Sequence, residues 1–114
     1  LEGLVKGDVV VLDYPYTNLS QFKRRPALVV AVLHGGQNVI LCQITSQFKT
    51  DPDAVIITAG DFADGSLTQP VSNVRPNHLV TIHHDRILYR VGALTAERLN
   101  FVIAATVDIL QRSE

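Results

Sequence analysis

A chain of 114 residues, 46% apolar and only 18% charged, is long enough for one hydrophobic core in one domain spanning residues 1–114, and too apolar to be intrinsically disordered. Ten basic and eleven acidic side chains leave a net charge of −1, which excludes gripping nucleic acid by bulk charge while permitting a local basic site. The longest apolar run, Ala27 to Leu33, falls well short of the roughly 20 residues that cross a bilayer as a helix. No basic stretch followed by an apolar block opens the chain, so a cytoplasmic protein is expected.

Runs rich in Val, Ile and Leu recur at short spacing: Asp8 to Leu12, Ala27 to Leu33, Val39 to Ile44, Ala54 to Thr58, Leu79 to Ile82 and Ile87 to Leu94. Each has strand length and is bounded by Gly, Pro, Asn, Asp or Ser. The links leave no room for the crossover helices of a parallel sheet, so five or six strands predict a small, strongly curved β-barrel. Gly35-Gly36 between the second and third runs reads as a hairpin turn, because glycine accepts positive φ without penalty. The single cysteine, Cys42, lies in the third run and reads as a buried small hydrophobe. Gly60 to Ser72 has no periodicity and reads as a loop wrapping the barrel. From Thr95 onward, Leu99, Val102, Ile103, Thr106, Val107 and Leu110 share one side at about 100° per residue. That predicts a C-terminal amphipathic helix lying on the barrel, N-capped by Thr95, with Glu97 at its positive end. Phe101 falls on the polar side of this helix, beside Glu97 and Asp108.

The densest basic cluster is Lys23-Arg24-Arg25, directly after Phe22 and before Pro26. It reads either as a solvated loop entering a strand or as a phosphate site, in which guanidiniums bind phosphate bidentately and the aromatic stacks a base. A two-residue turn at Gly35-Gly36 sets Arg25 opposite Ser46, and a three-residue turn sets it opposite Gln47. Either register gathers Arg25, Thr45, Ser46 and Gln47 at the open end of one hairpin. Among the four histidines, His34 reads as a turn residue. His83 and His84 are adjacent in a strand pattern and are expected on opposite faces, so no metal site is expected there. His78 lies in Val74-Arg75-Pro76-Asn77-His78, where an Arg and a His three apart across a turn share one neighbourhood. Walker, dinucleotide and nucleophile-elbow motifs are absent from the sequence.

Lys6-Gly7-Asp8-Val9-Val10, then Arg24-Arg25-Pro26-Ala27-Leu28-Val29, then Ile44-Thr45-Ser46-Gln47, together resemble the MazF/PemK family of toxin endoribonucleases. Val74 to Ile82 and Ile87 to Thr95 continue the resemblance over nearly the whole chain. It implies an SH3-like barrel with a C-terminal helix, usually a homodimer, encoded beside a small antitoxin. It also implies metal-independent, sequence-selective cutting of single-stranded RNA, without a cofactor, leaving a 2′,3′-cyclic phosphate and a 5′-hydroxyl. The family's arginine before proline falls on Arg25, its hydroxyl residue after the third strand on Thr45, and its later arginine on Arg75. Where several relatives carry an acid in the first loop, this chain has Leu19-Ser20-Gln21, and Asn77 stands where some have Asp. Ser20, Gln21, Phe22, Lys23, Arg24, Ser46, Gln47 and Asn77 are then expected to bind RNA. His78, whose ordinary pKa of about 6.5 suits proton exchange near neutrality, is the candidate for proton transfer. Two other readings use the same barrel: a non-catalytic inhibitor similar to the CcdB gyrase poisons, and an SH3-like binding module with a decayed site.

Overall fold

The computed structural model describes residues 1–15, 22–47 and 50–113, with the side chains of Pro15 and Phe22 left aside. Seven strands form one antiparallel sheet: β1 (Asp8–Pro15), β2 (Phe22–Val32), β3 (Asn38–Thr45), β4 (Val55–Thr58), β5 (Phe62–Gly65), β6 (Val71–His83) and β7 (Ile87–Leu94). Their order, β4-β6-β3-β2-β1-β7-β5, curls into a nearly closed barrel. A helix, α1 (Ala96–Gln111), follows β7.

Strands β1 to β3 are apolar on both faces because each face has its own core. Val9, Leu28, Cys42, Ile44 and Val74 pack against Leu99 and Val102 of α1. The intervening residues Val10, Leu12, Ala27, Val29 and Leu41 pack with Ile87 on the opposite face. Successive strand residues alternate between faces, so two-sided burial explains why these runs read as continuous rather than alternating. Burial pushes the Cys42 thiol up to about 11, which keeps it protonated and inert.

Several boundaries differ from expectation. Lys23, Arg24 and Arg25 lie inside β2, not in a loop, because β1 runs on to Pro15 and pairs Leu12 with Arg25, Asp13 with Arg24 and Tyr14 with Lys23. The stretch from Gly60 to Ser72 is not one loop: it holds the end of a 3₁₀ turn (Ala59–Asp61), then β5, then the start of β6. β5 is a short edge strand whose residues are mostly exposed, so it is fixed by pairing with β7 and lacks an apolar signature. β6 runs through Pro76, because proline needs no ladder partner at a bulge. Cys42 pairs with Leu79 and the next residue, Gln43, with Arg75, so the ladder steps over Pro76, Asn77 and His78.

The start of β1 is fastened electrostatically. Asp8 is buried, and its carboxylate accepts from the Val5 amide at 2.8 Å and from Arg90 Nε at 2.9 Å. Arg90 Nη2 also donates to Asp64 at 2.9 Å, which ties β1, β7 and β5 together. Thr95 caps α1 as expected, its hydroxyl oxygen accepting from the Arg98 amide at 3.2 Å. Only the first half of the predicted apolar stripe is covered. Leu99 and Val102 are buried, whereas Val107 and Leu110 are 43% and 72% exposed because the last turn runs past the core. Phe101 is exposed, with the Arg98 guanidinium 4.7 Å over its ring. No helix among the described residues is long and apolar enough to cross a membrane.

Candidate functional site

The β2–β3 hairpin brings the main candidates together by a register that neither turn length alone predicts. Gly35 and Gly36 carry φ of 87° and 74°, and the strands meet at Val32–Val39 and Ala31–Ile40. An irregularity between Val29 and Ala31 then slips the ladder by one, so that Ala27 faces Gln43. Two residues further along each strand stand Arg25 and Thr45. The ladder closes at Ala27–Gln43, off the register that either turn length predicts, because bulges of this kind are invisible in an apolar run, and Arg25, Thr45, Ser46 and Gln47 lie beyond its last pair.

Arg25, Pro26, Thr45, Ser46 and Gln47 line a cleft of about 140 Å³, many times the roughly 10–15 Å³ that admits one water. The Thr45 hydroxyl oxygen accepts from the Gln47 amide at 3.2 Å, which fixes its position and leaves its hydrogen to donate outward. The far wall is Leu67, Thr68, Gln69 and Ser72. Sequence reasoning missed this wall, since nothing in a polar stretch without periodicity marks it as part of a site.

Arg75 stands on the neighbouring strand, β6, and is not among the residues lining the cleft. Thr45 pairs with Asn73 and Gln43 with Arg75, so Thr45 and Arg75 are diagonal neighbours, roughly 7–8 Å apart in such ladders. Arg75 Nε donates to Asp51 Oδ2 at 3.1 Å, and Asn77 Nδ2 donates to both carboxylate oxygens at 3.2 and 3.3 Å. Asp51 is the residue that sequence reasoning overlooked; its signal was an acid just beyond the Thr45 turn. Burial works to raise its carboxyl pKa, but the Asp53 amide, Asn77 and Arg75 outweigh burial and hold it below the usual value. A depressed carboxyl stabilises the fold above its unfolded pKa of about 3.9, and this contribution is lost as pH falls through the folded value. Asp51→Asn is therefore expected to lower the urea midpoint at pH 7, with the gap to wild type closing as both are titrated below about pH 4.

Other candidates are more dispersed. His78 is exposed on the β6 bulge and is not among the residues lining the cleft. Arg24 pairs with Asp13 at 3.6 Å, both side chains largely exposed, and exposed pairs of this kind contribute little to stability. Lys23 is exposed beside them. Ser20 and Gln21 lie outside the described residues, and the β2 backbone begins at Phe22. His83 and His84 do not point apart as expected: β6 ends at His83, a 3₁₀ turn (His84–Arg86) begins, and the two rings stack with centroids 4.5 Å apart.

The model of the PemK-like, MazF-like toxin of type II toxin–antitoxin systems matches residues 5–110. The chain belongs to this toxin family. Solved MazF folds agree with the barrel. It is similar to an endoribonuclease in complex with its cognate antitoxin from a Mycobacterial species, with a TM-score of 0.72 and 18% identity, covering 98% of this chain and 99% of that one. It is also similar to MazE–MazF from Deinococcus radiodurans (TM-score 0.69, 23% identity, 95% and 96% covered). The Mycobacterium tuberculosis toxin MazF-mt6 gives a TM-score of 0.66 at 18% identity, with 92% and 99% covered. At these identities the likeness is one of fold. No curated protein sequence matches the chain. Within the MazF/PemK pattern, Gly7 and Asp8 have a structural task, fastening β1, whereas Arg25 and Thr45 share the cleft.

Proposed function

We propose that this chain is the toxin of a toxin–antitoxin pair and acts as a metal-independent, sequence-selective endoribonuclease on single-stranded RNA. The observation that carries this reading is the cleft itself: a guanidinium and a positioned hydroxyl line it together at the end of one hairpin, with a second arginine one diagonal step from the hydroxyl on the next strand. In the reaction, the ribose 2′-oxygen attacks the adjacent phosphorus and the bond to the 5′-oxygen breaks. The products are a 2′,3′-cyclic phosphate and a 5′-hydroxyl. Arg25 stabilises the negative charge that develops on the phosphoryl oxygens. Thr45 donates its hydroxyl hydrogen to the same group, and Arg75, oriented by Asp51, adds a second positive charge. Ser46, Gln47 and Asn77 supply hydrogen bonds to the strand, and Ser20, Gln21 and Phe22 are assigned to RNA binding with them.

The test is incubation of the pure protein with a long unstructured RNA in EDTA. Discrete fragments with cyclic-phosphate ends support the reading; an inhibitor or binding module on the same barrel leaves the RNA intact. Thr45→Val keeps the branched shape while deleting the donor, and its cleavage rate is expected to fall by about tenfold, short of the loss at Arg25. A Thr45→Val rate equal to wild type would reduce Thr45 to a strand-end residue. His78 is assigned to proton transfer, since its bulge adjoins Arg75 and imidazole as a group suits exchange near neutrality. His78→Gln is then expected to slow cleavage and flatten the pH profile between about pH 5 and 8. If rate and profile both persist, water moves the protons.

The chain is assigned as a homodimer in solution, for which two-fold pairing of a small sheet with open edges is the common arrangement. An antitoxin partner follows from the family, and similar toxins have been solved with theirs. An acidic antitoxin segment suits the exposed Lys23 and Arg24 beside the cleft, where it blocks RNA entry.

A further inference from the structure

We propose that His83, His84 and Asp85 bind a borderline divalent cation, such as Zn²⁺ or Ni²⁺, at the corner between β6 and β7. The backbone creates the arrangement. His83 is extended, with φ −68° and ψ 140°, and His84 opens the 3₁₀ turn. That change of conformation cancels the opposite facing of adjacent strand residues and leaves the imidazoles stacked at an interplanar angle of 29°. The Asp85 carboxylate lies across both rings, Oδ1 3.2 Å from His84 Nδ1 and Oδ2 3.6 Å from His83 Nδ1. One donor atom from each residue lies within 4.8 Å of the other two. Donors held at 2.0–2.2 Å around a tetrahedral ion stand roughly 3.3–3.6 Å apart. The two carboxylate spacings, one to each oxygen, are near that range, while the donor set as a whole spans up to 4.8 Å and would have to close by side-chain rotation on binding.

His83 Nδ1 spends its lone pair on the Asp85 amide, accepting at 3.1 Å, so an ion taken at that nitrogen replaces this hydrogen bond. His84 Nδ1 is buried and makes no hydrogen bond among the described residues. Its charged neighbour is the Asp85 carboxylate at 3.2 Å, and an ion at the corner is shared between the two. Two imidazoles and one carboxylate select Zn²⁺, Ni²⁺ or Cu²⁺ over Mg²⁺ or Ca²⁺ and leave a coordination position for water. The corner is remote from the cleft: His83 pairs with Asn38 at one end of β3, and Thr45 is at the other, roughly 20 Å away at strand spacing. The ion therefore fastens the β6–β7 corner and takes no part in RNA cleavage.

Calorimetric titration of the full chain with ZnCl₂ tests this, together with the thermal midpoint in the same salt. One saturable site and a midpoint that rises with Zn²⁺ are expected. His84→Gln should weaken binding at least tenfold and abolish the rise, while His34→Gln in the exposed hairpin turn changes neither. Should His84→Gln fail to fold, Asp85→Asn, whose side chain is 75% exposed, carries the same expectation. Absence of saturable binding below about 100 μM Zn²⁺, or wild-type affinity in the folded variant, overturns the proposal.

Discussion

Arg25→Ala is expected to cut RNA cleavage by about 10²- to 10³-fold, the scale on which one charge-stabilising donor acts in a transition state. The residue is only partly buried and its backbone pairs with Leu12 in the middle of a ladder. Truncating the side chain leaves that pairing intact, so the variant should keep the thermal midpoint of wild type. Loss of rate with retention of fold separates a chemical role from a structural one. Near-wild-type cleavage by a folded Arg25→Ala protein would move the chemistry away from the cleft. Arg25→Lys should recover only part of the rate, because an ammonium restores charge without the planar fork.

A large loss of stability is expected at Gly92→Ala. A Cβ on Gly92 would stand 2.4 Å from the Asp64 carbonyl oxygen and 3.0 Å from the Gly65 Cα, both of them backbone atoms. No rotamer relieves that contact, so β5 must move away from β7. A cost of about 2 kcal/mol or more is expected, at the upper part of the overpacking range. Urea unfolding monitored by tyrosine fluorescence reads it directly. Gly65 faces the same strand crossing with φ of +66°, so Gly65→Ala should be at least as damaging. Because Asp64 also receives Arg90, displacing β5 should loosen the fastening of Asp8 as well. Unfolding indistinguishable from wild type in Gly92→Ala would show that the two backbones yield without cost.

These two positions mark how far the sequence can be read. β7 and the Thr95 cap are legible because apolar runs bounded by turn residues and a hydroxyl before a periodic segment are local signals. β5 is not legible, since its place depends on a glycine contact with a strand far along the chain. Arg25 and Thr45 stand out by residue type, yet the register of the hairpin that carries them depends on an irregularity between Val29 and Ala31 that nothing local announces. Asp51 escapes because its role is defined by partners on β6, Arg75 and Asn77, more than twenty residues away. Charges within Lys23 to Arg25 masked the true start of β2, because strand preference there comes from pairing rather than from intrinsic propensity.

The step in β6 over Pro76, Asn77 and His78 has a consequence for changes in chain length. The two ladders on either side of it end on Cys42 and Gln43, which are consecutive in β3. Excising all three residues would therefore let the flanking ladders join without altering either, whereas excising one or two would put them out of phase. Pro76 is fully buried and Asn77 donates to Asp51, so the shortened chain would keep its pairing but lose core volume and one of the partners that hold that carboxylate. Length at this point is quantised: a homologous barrel with a plain sixth strand should differ here by three residues, and an acid at the place of Asp51 would there lack the amide that Asn77 supplies.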